Sequence, residues 1–100
     1  MEFWRALLLD SDFEAGCPVA SLALTPGSTD TAEVARRAFT RWAASIAARL
    51  VAAGRETEEA RALASAALAA VEGAILLARA HRSTQPLDDV GRVLHAYLAL

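Results

Sequence analysis

Leu63-Ala64-Ser65-Ala66-Ala67-Leu68-Ala69-Ala70-Val71-Glu72-Gly73-Ala74-Ile75-Leu76-Leu77-Ala78-Arg79-Ala80 is a run in which almost every residue is apolar or small. It is too long for a strand and rich in Ala, the strongest helix former, so it reads as a helix. At helical spacing it has two apolar faces. One carries Ala60, Ala64, Ala67, Val71, Ile75 and Ala78; the other carries Leu63, Ala66, Ala70, Gly73, Ala74 and Leu77. A membrane span needs about 20 apolar residues, and Glu72 and Arg79 interrupt this run, so the reading is a helix buried on both sides in a water-soluble protein. A carboxylate at Glu72 then calls for a partner, an Arg, a hydroxyl or a ligand, because an unpaired buried charge costs several kcal/mol.

Working outward, Thr57 is the expected cap of this helix, with Glu58 and Glu59 on its positive end and His81 and Arg82 on its negative end. Upstream, Asp30 with Glu33 three residues on has the form of a capping box. Ala35, Phe39, Trp42, Ile46 and Leu50 follow along one face, and Arg37, Arg41, Ala44 and Ala48 along the other. Gly54 is the expected left-handed stop. Earlier still, Gly16-Cys17-Pro18 starts a short helix to about Leu24, with Pro18 tolerated in the first turn, and Thr25-Pro26-Gly27-Ser28 is a loop. Phe3, Trp4, Leu7 and Leu8 form an amphipathic start with no capping residue ahead of them, like the second half of a longer helix. Downstream, a last helix begins near Pro86 with Asp88 and Asp89 in its first turn and Leu87, Val90, Leu94 and Tyr97 on one face. The expectation is an all-α fold of about five helices in an antiparallel bundle, a single domain over residues 1–100.

Composition narrows the function classes. The hydrophobic share is 55% of 100 residues, above the ordinary ~45–50%, in a domain small enough to have a modest core. The surplus calls for a partner. Because one copy has too few other helices to cover both faces of the apolar helix, a two-fold homodimer is expected. Ten Arg, no Lys and twelve acids give a net charge of −2, and the Arg are scattered, which argues against direct contact with a phosphate backbone. Cys17 is the one cysteine and has no internal disulfide partner, and Met1–Leu9 is too short and mixed for a signal peptide, so the expected compartment is the cytoplasm. His81 and His95 lack metal-ligand spacing, and no phosphate loop or catalytic motif is present, so no metal, no cofactor and no enzyme are expected. Cys17, at a helix start, reads as a small buried residue before it reads as a redox sensor.

Taken together, Trp4-Arg5-Ala6-Leu7-Leu8, Ser11-Asp12-Phe13-Glu14-Ala15-Gly16-Cys17-Pro18-Val19, Glu72-Gly73-Ala74 through Leu77-Ala78-Arg79-Ala80, and Arg82-Ser83-Thr84-Gln85-Pro86-Leu87 resemble the C-terminal half of TetR-family transcriptional repressors of the LmrA/YxaF-like subgroup. The resemblance runs essentially end to end. It implies a division of labour in which a helix-turn-helix head reads DNA, middle helices enclose a small-molecule pocket, and the last two helices pair with their copies as a four-helix bundle. Carried onto this sequence, it implies a pocket for a small apolar or aromatic effector lined by Phe13, Cys17, Leu22, Phe39, Trp42, Ile46 and Glu72. It implies a dimer seam of Ala66, Ala70, Gly73, Leu77, Val90, Leu94 and Tyr97. The DNA-reading head and its linker helix have no counterpart in the sequence, so contact with DNA is expected only through that head. The alternative reading is a free-standing helical homodimeric interaction protein without a ligand.

Overall fold

The computed structural model describes residues 1–27 and 29–100. It contains five helices, α1 (Glu2–Asp10), α2 (Pro18–Leu24), α3 (Thr29–Ala52), α4 (Thr57–His81) and α5 (Gln85–Leu98), and no strand among the described residues. The five-helix, all-α expectation is met.

Three helices end in the same way, and only one of them uses glycine. After α3, the Gly54 N–H donates to the Val51 carbonyl and the Arg55 N–H to the Leu50 carbonyl, with Gly54 at φ +102°. This is the Schellman pattern, in which a residue of positive φ turns the chain back over the last carbonyls. After α1, Asp12 N–H donates to Leu9 and Phe13 N–H to Leu8, with Asp12 at φ +54° and Phe13 at +62°. After α4, Arg82 N–H donates to Arg79 and Ser83 N–H to Ala78, with Arg82 at φ +52°. Left-handed conformations at non-glycine residues cost roughly 1–3 kcal/mol each and persist where surrounding contacts hold them.

Two of the expected caps fall elsewhere. Asp30 lies inside the first turn of α3, and the Glu33 carboxylate accepts hydrogen bonds from Arg36 and Arg37 instead of closing a capping box. Two guanidinium groups on the same helix face are nearer and charged, and so outcompete a backbone N–H. The loop assigned to Thr25-Pro26-Gly27-Ser28 is present as Thr25–Gly27, with Ser28 outside the described residues. At α4 the cap is Glu56, one residue ahead of Thr57: its two carboxylate oxygens accept from the Glu58 and Glu59 N–H groups, both at 3.0 Å. Those bonds, the one from Glu58 first, hold the Glu56 carboxyl below its usual range.

The chain divides into two compact units, one of residues 1–17 and 70–100, the other of residues 18–69. In the first, α1 runs antiparallel to α5. Arg5 pairs with Asp88, and a Cβ added at Gly91 would come within 3.3 Å of Met1 Cγ. Leu8, Cys17, Ala74, Ile75, Ala78 and Leu87 are buried there. In the second unit α2 packs on α3, and Ala35, Leu50, Ala60, Ala64 and Ala67 are buried. Thus α4 contributes buried residues at positions 60, 64 and 67 to the second unit and at 74, 75 and 78 to the first, all Ala except Ile75. By length and composition α4 is also apolar enough to cross a membrane, with a mean hydropathy of 1.6 over its most apolar window.

Candidate functional site

The residues expected to line an effector pocket fall into the two units. In the second, Phe39 and Trp42 lie three apart on α3, with ring centroids 5.8 Å apart in an edge-to-face arrangement. Such pairs contribute ~0.5–1.5 kcal/mol beyond their buried area, so the pair is a stable apolar platform. Leu22 on α2 and Ile46 on α3 are half-buried, and Trp42 keeps 36% of its surface exposed. In the first unit, Cys17 is buried and Glu72 and Phe13 are half-buried. Glu72 makes no ion pair among the described residues. The need for a partner falls away because the carboxylate lies on the flank of α4 with access to solvent.

The residues expected at a dimer seam differ in their exposure. Ala66 is exposed, Ala70 and Gly73 are half-buried, and Leu77 keeps 50% of its surface exposed. A Cβ built at Gly73 meets nothing within 4 Å, so the backbone there stands open to close approach. Leu76, three positions on, is 65% exposed. On α5, Val90 and Leu94 are half-buried, Tyr97 is 75% exposed and Val93 52%. Tyr97 therefore belongs to the outer edge of α5 and not to the face that buries Leu87.

Sequence reasoning missed a further constellation, where the turn after α1 meets the end of α4. Arg82 Nη2 lies 2.7 Å from Asp12 Oδ1, Arg82 Nη1 lies 3.9 Å from Glu14 Oε1, and the guanidinium sits over the Phe13 ring, 5.6 Å from its centroid. The left-handed residues Asp12, Phe13 and Arg82 thus hold one another. Arg79 lies along Gly16, where an added Cβ would stand 3.1 Å from its Nη1, and so the absence of a side chain at 16 is what lets this arginine lie flat. Phe13, Glu14, Leu76, Arg79, Ala80 and Arg82 line an open groove of about 390 Å³. The only sequence signal was indirect: α1 and α4 both end without a glycine, so the turn residues had to be held by something else.

Among the described residues no group of His, Cys, Asp and Glu is placed to hold a metal ion.

Comparison with known proteins agrees with this architecture. The family model described as transcriptional regulator LmrA/YxaF-like, C-terminal domain, matches residues 1–93. Two relatives from Mycobacterium tuberculosis, one in strain CDC 1551 / Oshkosh and one in strain ATCC 25618 / H37Rv, carry the description of uncharacterised HTH-type transcriptional regulators. Each is 41% identical over 102 residues, which is 95% of this chain and 53% of the relative. The chain therefore spans about half the length of the curated relatives it matches. No solved structure matches it. With five helices in the expected order and a family match over nearly the whole chain, this protein belongs to the LmrA/YxaF-like C-terminal domain family of TetR-type transcriptional regulators, a family of regulators and not of enzymes.

Proposed function

We propose that this chain is the effector-binding and dimerisation part of a cytoplasmic TetR-type regulator, acting on DNA through a helix-turn-helix segment of the kind named in its relatives. The observation that carries the reading is the uncovered apolar surface of α4 and α5 in the first unit: Gly73 with open space above it, Leu77 beside it, and Tyr97 on α5. A soluble domain leaves few large apolar groups so arranged unless a partner covers them. A second copy is the simplest partner, because a two-fold interface is self-complementary and needs one patch only. The effector is a small apolar or aromatic molecule, and Phe39 and Trp42 are its candidate platform, with Leu22 and Ile46 of the same unit as further candidates.

A ligand that binds only the folded protein stabilises it by mass action, by about 2.7 kcal/mol at a hundredfold excess over its dissociation constant. A thermal-shift screen of planar aromatic and amphipathic compounds should therefore yield hits whose effect is lost in Trp42→Ala. A screen with no hits would leave the ligand-free interaction protein as the better reading.

A further inference from the structure

The groove beside Arg82 has a chemistry that neither the pairing face nor the aromatic platform on α3 accounts for. One side is apolar, made by Leu76 and Ala80 of α4 and by the Phe13 ring. The other side is cationic. Of its two guanidinium groups, Arg82 is committed to Asp12 and Glu14, and its position over Phe13 fixes that ring as a wall. Arg79 is different: it lines the same groove, is exposed, and makes no ion pair among the described residues. One edge of its guanidinium, with Cδ, lies against Gly16. Glu14 is the one acid in the lining, and it faces Arg82.

We infer that this groove binds a small aromatic carboxylate, with the carboxylate paired to Arg79 and the ring lying between Phe13 and the Leu76–Ala80 surface. A planar guanidinium offers two parallel N–H donors that match the two oxygens of a carboxylate. An apolar body is needed as well, because a lone ion pair at an exposed site gains little. The volume of about 390 Å³ is at the small end of the range for ligand pockets, which suits one or two fused rings. The strained turn serves the same end. Phe13 is held at φ +62° by the Arg82 contacts, so the wall is in place before the ligand arrives.

The inference stands apart from the dimerisation and effector reading, and its test reads binding directly. Amide chemical shifts of the isotope-labelled chain are followed on titration with 1-naphthoate, with 1-naphthylmethanol as the uncharged counterpart and acetate as the headgroup alone. Saturable shifts are expected at Phe13, Arg79, Ala80 and Arg82 with naphthoate, about tenfold weaker binding with the alcohol, and none with acetate at the same concentration. Arg79→Gln should weaken naphthoate binding about tenfold, Arg79→Lys by less, since it keeps the charge and stem but loses the fork, and Arg61→Gln should change nothing. Arg79→Lys also covers the case in which the Gln variant folds poorly. The inference is overturned if naphthoate shifts centre on Phe39 and Trp42, if the alcohol binds as tightly as the acid, or if both Arg79 variants bind as the parent does.

Discussion

Helices α3 and α4 are almost equal in length, 24 and 25 residues, yet they hold their places by different means. Along α3 only Ala35 and Leu50 are buried, and its exposed residues include Arg36, Arg37 and Arg41 together with the apolar Val34, Trp42 and Val51. Glu33 there is clamped by Arg36 and Arg37, the kind of pairing that steadies a helix facing water. Along α4 six residues are buried, all of them Ala except Ile75, and between Arg61 and Arg79 the exposed residues are Ala62, Ser65, Ala66, Ala69, Leu76 and Leu77. A helix with a polar outer face is complete in water, whereas a helix with an apolar outer face is half of an interface. Under the function proposed above, the contrast puts the pairing surface on α4 and the ligand platform on α3.

The largest effect expected from breaking this contrast is at the inner end of α3. Leu50 is 1% exposed, and with so few other buried residues on its helix nothing nearby can take over its role. Leu50→Ala should cost roughly 2–5 kcal/mol, read as a fall in the denaturant midpoint at constant slope. A loss under about 0.5 kcal/mol would mean that α3 is held mainly by its ion pairs.

Next come matched additions of bulk to the two outer faces. At Gly73 of α4 a single chain has open space, so Gly73→Leu should be tolerated by the monomer and should oppose close pairing. The cost of overpacking, about 1–3 kcal/mol, is then expected in the dimer dissociation constant and not in monomer unfolding. The same enlargement on α3, Ala44→Leu, should stay within about 0.5 kcal/mol by either measure. Equal behaviour of the two variants would erase the distinction between the helices.

The smallest effect is also the sharpest in pH. Glu33 is held at about 2 against an ordinary 4.5, first by its hydrogen bond from Arg36 and then by the charges of Arg36 and Arg37. A carboxyl whose folded value is depressed adds stability above its unfolded value, and that contribution is lost as pH falls from about 4.5 through about 2. Carbon-detected titration of the Glu33 carboxyl should show the low midpoint in the parent and a return toward the ordinary value in Arg36→Gln. A parent midpoint at the ordinary value would show that the clamp does not persist in solution.

Helix existence was legible in the sequence because it rests on period and on strong formers: the Ala-rich run of α4 and the stop at Gly54 appear where the pattern puts them, while facing was less so, since Trp42 of the expected core face is exposed and Ala74 of the second α4 face is buried. Cap identity was less legible. Glu is a weaker capping residue than Thr by general preference, yet Glu56 reaches two N–H groups and wins by geometry that no pairwise rule contains. The corner of Asp12, Phe13 and Arg82 was illegible for a different reason. Its residues are about seventy positions apart, and its signal is a pair of helix ends that lack the glycine a left-handed turn usually takes. Of the residues assigned to a seam, Leu77 is exposed and Gly73 has open space above it, whereas Val90 and Leu94 are half-buried within their own unit.

Sedimentation equilibrium over a range of micromolar concentrations, run on the parent chain and on Gly73→Leu, tests the central claim most directly. The account predicts a parent of twice the chain mass whose unfolding midpoint rises with concentration, and a variant shifted toward the monomer. A parent that stays monomeric across that range, with an unfolding midpoint independent of concentration, would contradict it.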